Sequence, residues 1–181
     1  YLLDALRKAE TPIEIVATGA LTNLGCARRV APELVRNIRR IVVMGGGVEI
    51  TNKTLAAEGN FWRDPEAAKI VLDSGADVVL VPLDTTHKTA FSEAELREIE
   101  RVGTPASEFI ARVVRVRMGA YNRLQPLGEP NLAILHDLMC VMLMLDPAVI
   151  REYRPACASV SLDHGETAGQ LIVDRRFRHG E

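Results

Sequence analysis

A histidine and an aspartate stand side by side, as His136 and Asp137, in an otherwise apolar stretch of the sequence. Two adjacent ionisable side chains among Leu, Met and Val are costly to bury without partners. A helix-capping aspartate is one interpretation, and a metal-binding carboxylate beside a proton-donating histidine is another. Adjacent helical residues point about 100° apart, so one metal would not bind both side chains. This weakens a third interpretation, a metal-dependent phosphohydrolase, because His87, His164 and His179 show no ligand spacing.

A second group of polar side chains follows an apolar run that ends at Met44. Three glycines, residues 45–47, come next, and an irregular stretch then carries Asn52, Glu58 and Asn60. Glycines after a strand let the backbone approach a ligand closely, and long loops in compact α/β domains are frequently functional. Amide and carboxylate groups at fixed positions are what a polyhydroxylated ligand needs, although a solvated loop is the alternative. The glycine spacing does not match a dinucleotide-binding motif.

The backbone carbonyl of Thr18 is a third candidate, because it precedes Gly19 at the end of another apolar run. A carbonyl exposed at such a turn can act as an oxygen ligand for a cation. The alternative is an ordinary strand-to-helix turn in which Thr22 or Asn23 caps the helix that follows.

These candidates are positioned by apolar runs that alternate with helical patterns. Short runs rich in Val, Ile and Leu predict strands covered on both faces, and the alternation predicts βαβ units with a parallel sheet. Ligands of such sheets lie beyond the carboxyl ends of the strands, where Thr18 and the glycines stand. The predicted strands are residues 13–17, 41–44 and 78–83, and the predicted helices between them are residues 21–38 and a segment after Asp64-Pro65.

The second half of the chain is predominantly helical in pattern. Helices are predicted from Ser92, from Thr104 toward Tyr121, and over the apolar segment 133–145. The last segments, 156–162 and 169–173, predict a β-hairpin. With no second domain boundary in the sequence, residues 1–181 are predicted to form a single domain.

Composition restricts the class of partner. The chain has 48% hydrophobic and 25% charged residues and a formal charge of -2, which gives no electrostatic reason to bind nucleic acid or an anionic membrane. The longest apolar runs are too short to span a bilayer. Cys26, Cys140 and Cys157 are odd in number and show no CxxC spacing, so we expect buried free thiols and a reducing, cytoplasmic location.

Five stretches together resemble the inosine-uridine-preferring nucleoside hydrolase family, in the order and at the intervals typical of that family. The resemblance implies an open, mostly parallel sheet flanked by helices. It also implies hydrolysis of the N-glycosidic bond of purine or pyrimidine ribonucleosides to ribose and free base. The stretches are residues 17–24 (ATGALTNL), 42–46 (VVMGG), 57–68 (AEGNFWRDPEAA), 83–87 (LDTTH) and 135–137 (LHD).

The family resemblance further implies a calcium ion that binds the ribose 2′- and 3′-hydroxyls. Thr18 would supply its carbonyl to Ca²⁺, and Asp137 would bind both the metal and the substrate with its carboxylate. The other residues expected at the ribose are Met44, which would line the sugar pocket, and Asn52, Glu58 and Asn60, which would bind its hydroxyls.

The base is expected to lie beside His136, which would protonate it as it leaves. This role suits a side chain that titrates near neutrality. Tyr121 is a candidate for stacking on the base. The expected partner is a small ribonucleoside, with neither nucleic acid nor membrane, and the intact enzyme is expected to be a homodimer or homotetramer.

Two departures from the family pattern bear on these expectations. Gly59 stands where the family usually has a large apolar residue, and the family's N-terminal aspartate cluster, which follows its first strand, is absent. That cluster would supply further calcium ligands and the base that activates water. We therefore expect an N-terminally truncated, C-terminal part of a nucleoside hydrolase domain that shows little activity alone. The alternative is a non-catalytic remnant of the fold that acts as an interaction protein.

Overall fold

Three parallel strands form the central sheet of the computed structural model, which describes residues 1–174 and so leaves His179 outside the described part. The strands are β1 (Ile13–Ala17), β2 (Ile38–Met44) and β3 (Val78–Val81), with β2 in the middle. Val16 pairs with Val42, and Val43 pairs with Leu80. All three expected strands and their parallel arrangement are confirmed. β3 ends before Pro82, which lacks the N–H that a strand needs.

The helices fall in the expected order along the chain. Their bounds are α1 (Leu2–Lys8), α2 (Thr22–Val30), α3 (Gly59–Arg63), α4 (Pro65–Leu72), α5 (Leu83–Thr86), α6 (Glu93–Arg101), α7 (Pro105–Leu124) and α8 (His136–Leu145). Short 3₁₀ helices cover Pro32–Asn37 and Pro147–Val149. In α4, α6 and α7 the first turns are capped by side chains of Asp64, Ser92 and Thr104, as the sequence predicts.

Two predicted helix boundaries are wrong. The helix predicted over residues 21–38 ends at Val30, because Ala31 precedes Pro32 and takes an extended φ of -142°. Its start is not capped by Thr22 or Asn23 either, since the N-cap position is Leu21, which makes no side-chain bond.

The helix predicted from residue 133 begins only at His136. Its expected first residues form β5 (Ala133–Ile134), which pairs antiparallel with β4 (Ala90–Phe91). The C-terminal hairpin is confirmed as β6 (Cys157–Val160) against β7 (Leu171–Asp174).

The described residues form two compact units, residues 1–84 with 137–174 and residues 85–136. The first unit contains the parallel sheet and buries Phe61 and Val43 completely, in a cluster that also takes Val160 and Leu171 from the hairpin. The second unit has its own core, contributed by α6, α7 and β5. Compact units can belong to one domain, so the single domain remains a prediction.

The cysteines are free, as expected, but only Cys140 is buried, while Cys157 is half-buried and Cys26 is exposed. The expectation of three buried thiols is therefore wrong at Cys26, which lies on the outer face of α2. Over the described residues 1–174, no helix combines the length and apolar character needed to cross a membrane.

Candidate active site

The glycines after β2 are explained by packing within the chain itself. A Cβ on Gly45 would lie 2.6 Å from the ring of Phe61, and one on Gly47 would lie 1.8 Å from the carbonyl oxygen of Ile50. Gly46 has a φ of +75°, which favours glycine. The sequence suggested that these glycines admit a ligand. The structure shows that they also let the following loop fold back tightly over the end of the sheet.

Glu58 is a buried carboxylate at this end of β2, with 3% of its surface exposed. Its Oε2 accepts hydrogen bonds from the backbone N–H of Gly46 (3.0 Å) and Phe61 (3.2 Å), so it also caps α3. Among the described residues, no hydrogen bond reaches its Oε1. The carboxylate is thus held by one oxygen, and the other is available for a ligand.

Hydrogen bonds place three further polar or apolar residues close to Glu58 along the chain, namely Asn52, Asn60 and Met44. The amide nitrogen of Asn60 donates to the carbonyl of Met44 (3.0 Å), and Oδ1 of Asn52 accepts from the backbone N–H of Gly59 (3.0 Å). These bonds leave the Asn60 oxygen as an acceptor and the Asn52 nitrogen as a donor. The structure therefore brings together four of the residues that the sequence assigned to the ribose.

Asp84 lies in the family-like stretch 83–87, but the sequence predicted no role for it. It follows β3, and its carboxylate accepts from three consecutive backbone N–H groups, those of Val48 (2.7 Å), Glu49 (2.8 Å) and Ile50 (3.2 Å). Burial, the largest single influence, raises the pKa of Asp84, but backbone hydrogen bonds, including its own N–H, outweigh burial and lower that pKa overall. A carboxylate placed directly after a parallel strand was the available sequence signal.

Thr18 and Asp137, the expected metal ligands, are both exposed residues of the first unit. Thr18 follows β1, and Asp137 is the second residue of α8. Within residues 1–174, the structure contains no group of three or more His, Cys, Asp or Glu side chains that could hold a metal ion.

His136 makes two hydrogen bonds within the second unit, one at each ring nitrogen. Its Nδ1 lies 2.7 Å from the hydroxyl of Thr86, and its Nε2 lies 2.9 Å from the hydroxyl of Tyr121. Nη2 of Arg117 donates to the same tyrosine oxygen at 3.4 Å. Because the guanidinium already donates to the tyrosine oxygen, we assign the Tyr121 O–H as the donor to Nε2. The neutral imidazole then carries its proton on Nδ1, facing Thr86.

The environment of His136 favours that neutral form. Burial, the nearby ring of His87 and the charge of Arg117 lower the pKa of His136 to about 4. The two histidine rings are 5.6 Å apart. The expectation that His136 titrates near neutrality is therefore wrong, because its sequence neighbours do not reveal these tertiary contacts.

Tyr121 contacts His136 through its hydroxyl, and its ring is buried. The residue is 4% exposed and belongs to the core of the second unit. Burial raises the pKa of its phenol, and the charge of Arg117 partly offsets that rise. Sequence reasoning missed Arg117, although its position four residues before Tyr121 on α7 places both on one helix face.

Comparison with known proteins identifies relatives over the whole chain. The inosine-uridine preferring nucleoside hydrolase family model matches residues 1–181. The pyrimidine-specific ribonucleoside hydrolase RihA of Salmonella typhimurium is 35% identical over 179 residues, which cover 99% of this chain and 57% of the relative. The chain thus spans little more than half the length of such relatives.

Solved structures agree with this match. A purine-preferring ribonucleoside hydrolase from Gardnerella vaginalis superposes with a TM-score of 0.85 at 31% identity, covering 98% of this chain and 55% of the other. A plant nucleoside hydrolase superposes with a TM-score of 0.89 at 25% identity, covering 100% of this chain and 56% of the other. The expected fold class is confirmed by these similarities.

Proposed function

Because the chain belongs to the inosine-uridine preferring nucleoside hydrolase family, we propose that it hydrolyses the N-glycosidic bond of ribonucleosides, yielding ribose and a free base. The observation that carries this proposal is the clustering of four residues after β2, where hydrogen bonds hold Glu58 to Gly46, Asn52 to Gly59, and Asn60 to Met44. The unused acceptors and donor of this group match the hydroxyl groups of a sugar.

Glu58, Asn52 and Asn60 are the residues that we assign to the ribose. In N-glycoside hydrolysis the C1′–N bond breaks before water has fully bonded, and positive charge develops on the sugar as in O-glycoside cleavage. The Glu58 carboxylate stabilises that charge and accepts a hydrogen bond from a ribose hydroxyl through Oε1. The two amides fix the orientation of the ring, and buried Met44 forms the apolar side of the sugar site.

His136 is the residue that we assign to the departing base, which takes the electron pair of the broken bond and needs a proton. Since its pKa is about 4, the imidazole is neutral at pH 7, so it acts as a relay that gives its single ring proton to the base while its other nitrogen takes up a proton. A proton that His136 passes to the base is replaced from the hydroxyl of Tyr121, which contacts Nε2. Arg117 beside the tyrosine oxygen stabilises the resulting phenolate. Water completes the reaction: its oxygen bonds to C1′, and the proton that it loses restores the hydroxyl of Tyr121.

The calcium ion that the family resemblance implies does not fit the described residues alone. Calcium takes 6–8 oxygen ligands, whereas the carbonyl of Thr18 and the carboxylate of Asp137 offer only a small part of such a set. Residues 1–174 contain no further cluster of metal-binding side chains. We therefore keep Thr18 and Asp137 as proposed oxygen ligands and route no catalytic step through a metal.

A cytoplasmic location and a homodimeric or homotetrameric state belong to the same proposal. Three free cysteines support a reducing compartment. Light scattering after size-exclusion chromatography would measure the oligomeric state directly.

The proposal is tested by incubating the protein with uridine and with inosine, each with and without calcium chloride. Ribose is measured as reducing sugar, and free base is measured by chromatography. We expect equal amounts of both products, and turnover at ordinary enzyme rates would overturn the expectation that this chain shows little activity alone. Glu58→Gln should lower kcat/KM about 10- to 100-fold, the size of a lost hydrogen bond to a charged group.

Glu66→Gln is the matched control, because Glu66 is an exposed glutamate on α4 and should leave kcat/KM within twofold. Unchanged kinetics in Glu58→Gln would remove this residue from the sugar site. Binding of uridine without release of ribose would favour the non-catalytic alternative.

A further inference from the structure

We propose that Asp84 is a positioning residue that holds the loop of residues 48–52 in the conformation that binds the sugar. This inference rests on the proposed function, because the loop ends at Asn52. The carboxylate does not belong to the sugar-binding group itself. It acts through the backbone that carries one member of that group.

The contacts of Asp84 are unusual in number and in direction. Three successive N–H groups, from Val48 to Ile50, point at one carboxylate, with Oδ2 accepting the first and Oδ1 the other two. Successive backbone N–H groups that converge in a turn form an anion-binding concavity. In this chain that concavity is filled by a side chain of the same unit rather than by a ligand.

The loop is hydrogen-bonded to the sheet at one end and, at the other, to the segment that carries Glu58 and Asn60. On the sheet side, the N–H of Leu83 donates to the carbonyl of Gly46 (3.0 Å), which places Asp84 at the start of the loop. On the other side, Asn52 accepts from Gly59, the residue between Glu58 and Asn60. A displacement of residues 48–50 would therefore be passed to Asn52.

Most of the stretch between these ties lies outside the core. Val48, Glu49 and Asn52 are exposed, while Ile50 is half-buried and packs against a core cluster. Hydrogen bonds to a charged acceptor are about twice as strong as neutral ones. The three bonds to Asp84 thus help to order the loop before a ligand arrives, which lowers the ordering cost of binding.

The test compares Asp84→Asn with Asp64→Asn. In Asp84→Asn the new amide turns an N–H donor toward backbone donors, so at least one of the three bonds is lost. Asp64 is a matched control because its carboxylate also accepts a backbone N–H, that of Ala67 (2.9 Å), but at the cap of α4. Asparagine is as good a helix cap as aspartate.

Two readouts separate positioning from general destabilisation. Amide hydrogen exchange over residues 48–52 should be at least about tenfold faster in Asp84→Asn and unchanged in Asp64→Asn. For uridine hydrolysis, KM should rise about tenfold in Asp84→Asn while kcat changes less than threefold, because a loop ordered only on binding weakens binding without altering the reacting groups.

Each result has a definite meaning. Unchanged exchange in Asp84→Asn, or faster exchange with an unchanged KM, would overturn the inference while ribose release still stood. If the unsubstituted protein released no ribose from uridine or inosine, the proposed function would fail first, and hydrogen exchange would still report whether Asp84 orders the loop. Should Asp84→Asn not fold, Asp84→Glu keeps the charge, shifts the oxygens by one methylene, and should show the same two changes to a smaller degree.

Discussion

The surroundings of His136 favour its neutral imidazole over the protonated form. Hydroxyls contact both ring nitrogens, and burial, His87 and Arg117 disfavour a positive charge on the ring. A group of this kind suits a reaction in which the leaving group itself demands the proton as its bond breaks. At the scale of single residues, the requirement for a proton on the leaving group is therefore what should expose the role of His136.

We expect His136→Ala to slow uridine hydrolysis about 10²–10⁴-fold, the usual contribution of general acid catalysis. Cleavage of p-nitrophenyl riboside should change less than about threefold, because nitrophenolate leaves without a proton. Steady-state kinetics on both substrates measure the difference. His164→Ala is the control, since His164 is exposed in the loop between β6 and β7 and should affect neither substrate.

Equal losses on the two substrates would mean that His136 orders its surroundings rather than donating a proton. An unchanged uridine rate would leave it as a packed histidine.

The sequence singled out His136 as a candidate but did not give its protonation state. His136 stood out because a charged pair interrupts an apolar segment, and the motifs around Glu58 are local. The partners of His136 are distant, with Thr86 50 positions away and Tyr121 15 positions away. A pKa depends on such tertiary neighbours and on burial, so a single sequence could not give it.

At the scale of elements, Asp64 connects two helices of the first unit. Its carboxylate caps α4 through the N–H of Ala67 and also accepts a hydrogen bond from the hydroxyl of Thr22 on α2. The sequence predicted the cap, because Asp-Pro is a local signal. It offered Thr22 as a cap of α2 and not as a partner of Asp64, because a bond across 42 positions has no local signature.

Asp64→Ala should lower the free energy of unfolding by about 1 kcal/mol, the typical value of an N-cap. Asp64 is not one of the residues assigned to the ribose, so KM for uridine should stay within twofold. Urea unfolding followed by circular dichroism provides the measurement.

Asp73→Ala is the comparison for this variant. Asp73 is exposed at the other end of α4 and makes an ion pair with Lys69, 2.9 Å away, whose expected contribution is below about 0.5 kcal/mol. A loss in Asp64→Ala no larger than that in Asp73→Ala would show that the cap contributes little.

At the scale of the whole molecule, alternation of strands and helices was sufficient to predict the parallel sheet, because each βαβ unit is local in sequence. The grouping of residues 85–136 into their own unit was not predicted. It depends on a two-residue pairing between β4 and β5, which lie about forty positions apart and are too short to show periodicity.

The pH dependence of stability is a property of the whole chain that follows from His136. Its pKa falls from 6.5 in an unfolded chain to about 4 in the folded one, chiefly through burial. Between these values the unfolded chain binds a proton that the folded chain does not. The contribution of His136 to the free energy of unfolding is therefore fully present above pH 6.5 and is lost as the pH falls through about 4. Allowing for partial exposure of the ring, the loss is about 2 kcal/mol.

We therefore expect the free energy of unfolding of the unsubstituted protein and of His136→Gln to converge by about 2 kcal/mol between pH 7.5 and pH 4. Glutamine cannot titrate, so the variant lacks this one contribution while every carboxylate contributes equally to both proteins. His164→Gln removes an exposed histidine instead and should run parallel to the unsubstituted protein over the same range. Urea titrations at several pH values measure the three free energies. Parallel curves for His136→Gln and the unsubstituted protein would mean that His136 titrates alike in the folded and unfolded chains, and the neutral imidazole held by Tyr121 and Thr86 would have to be abandoned.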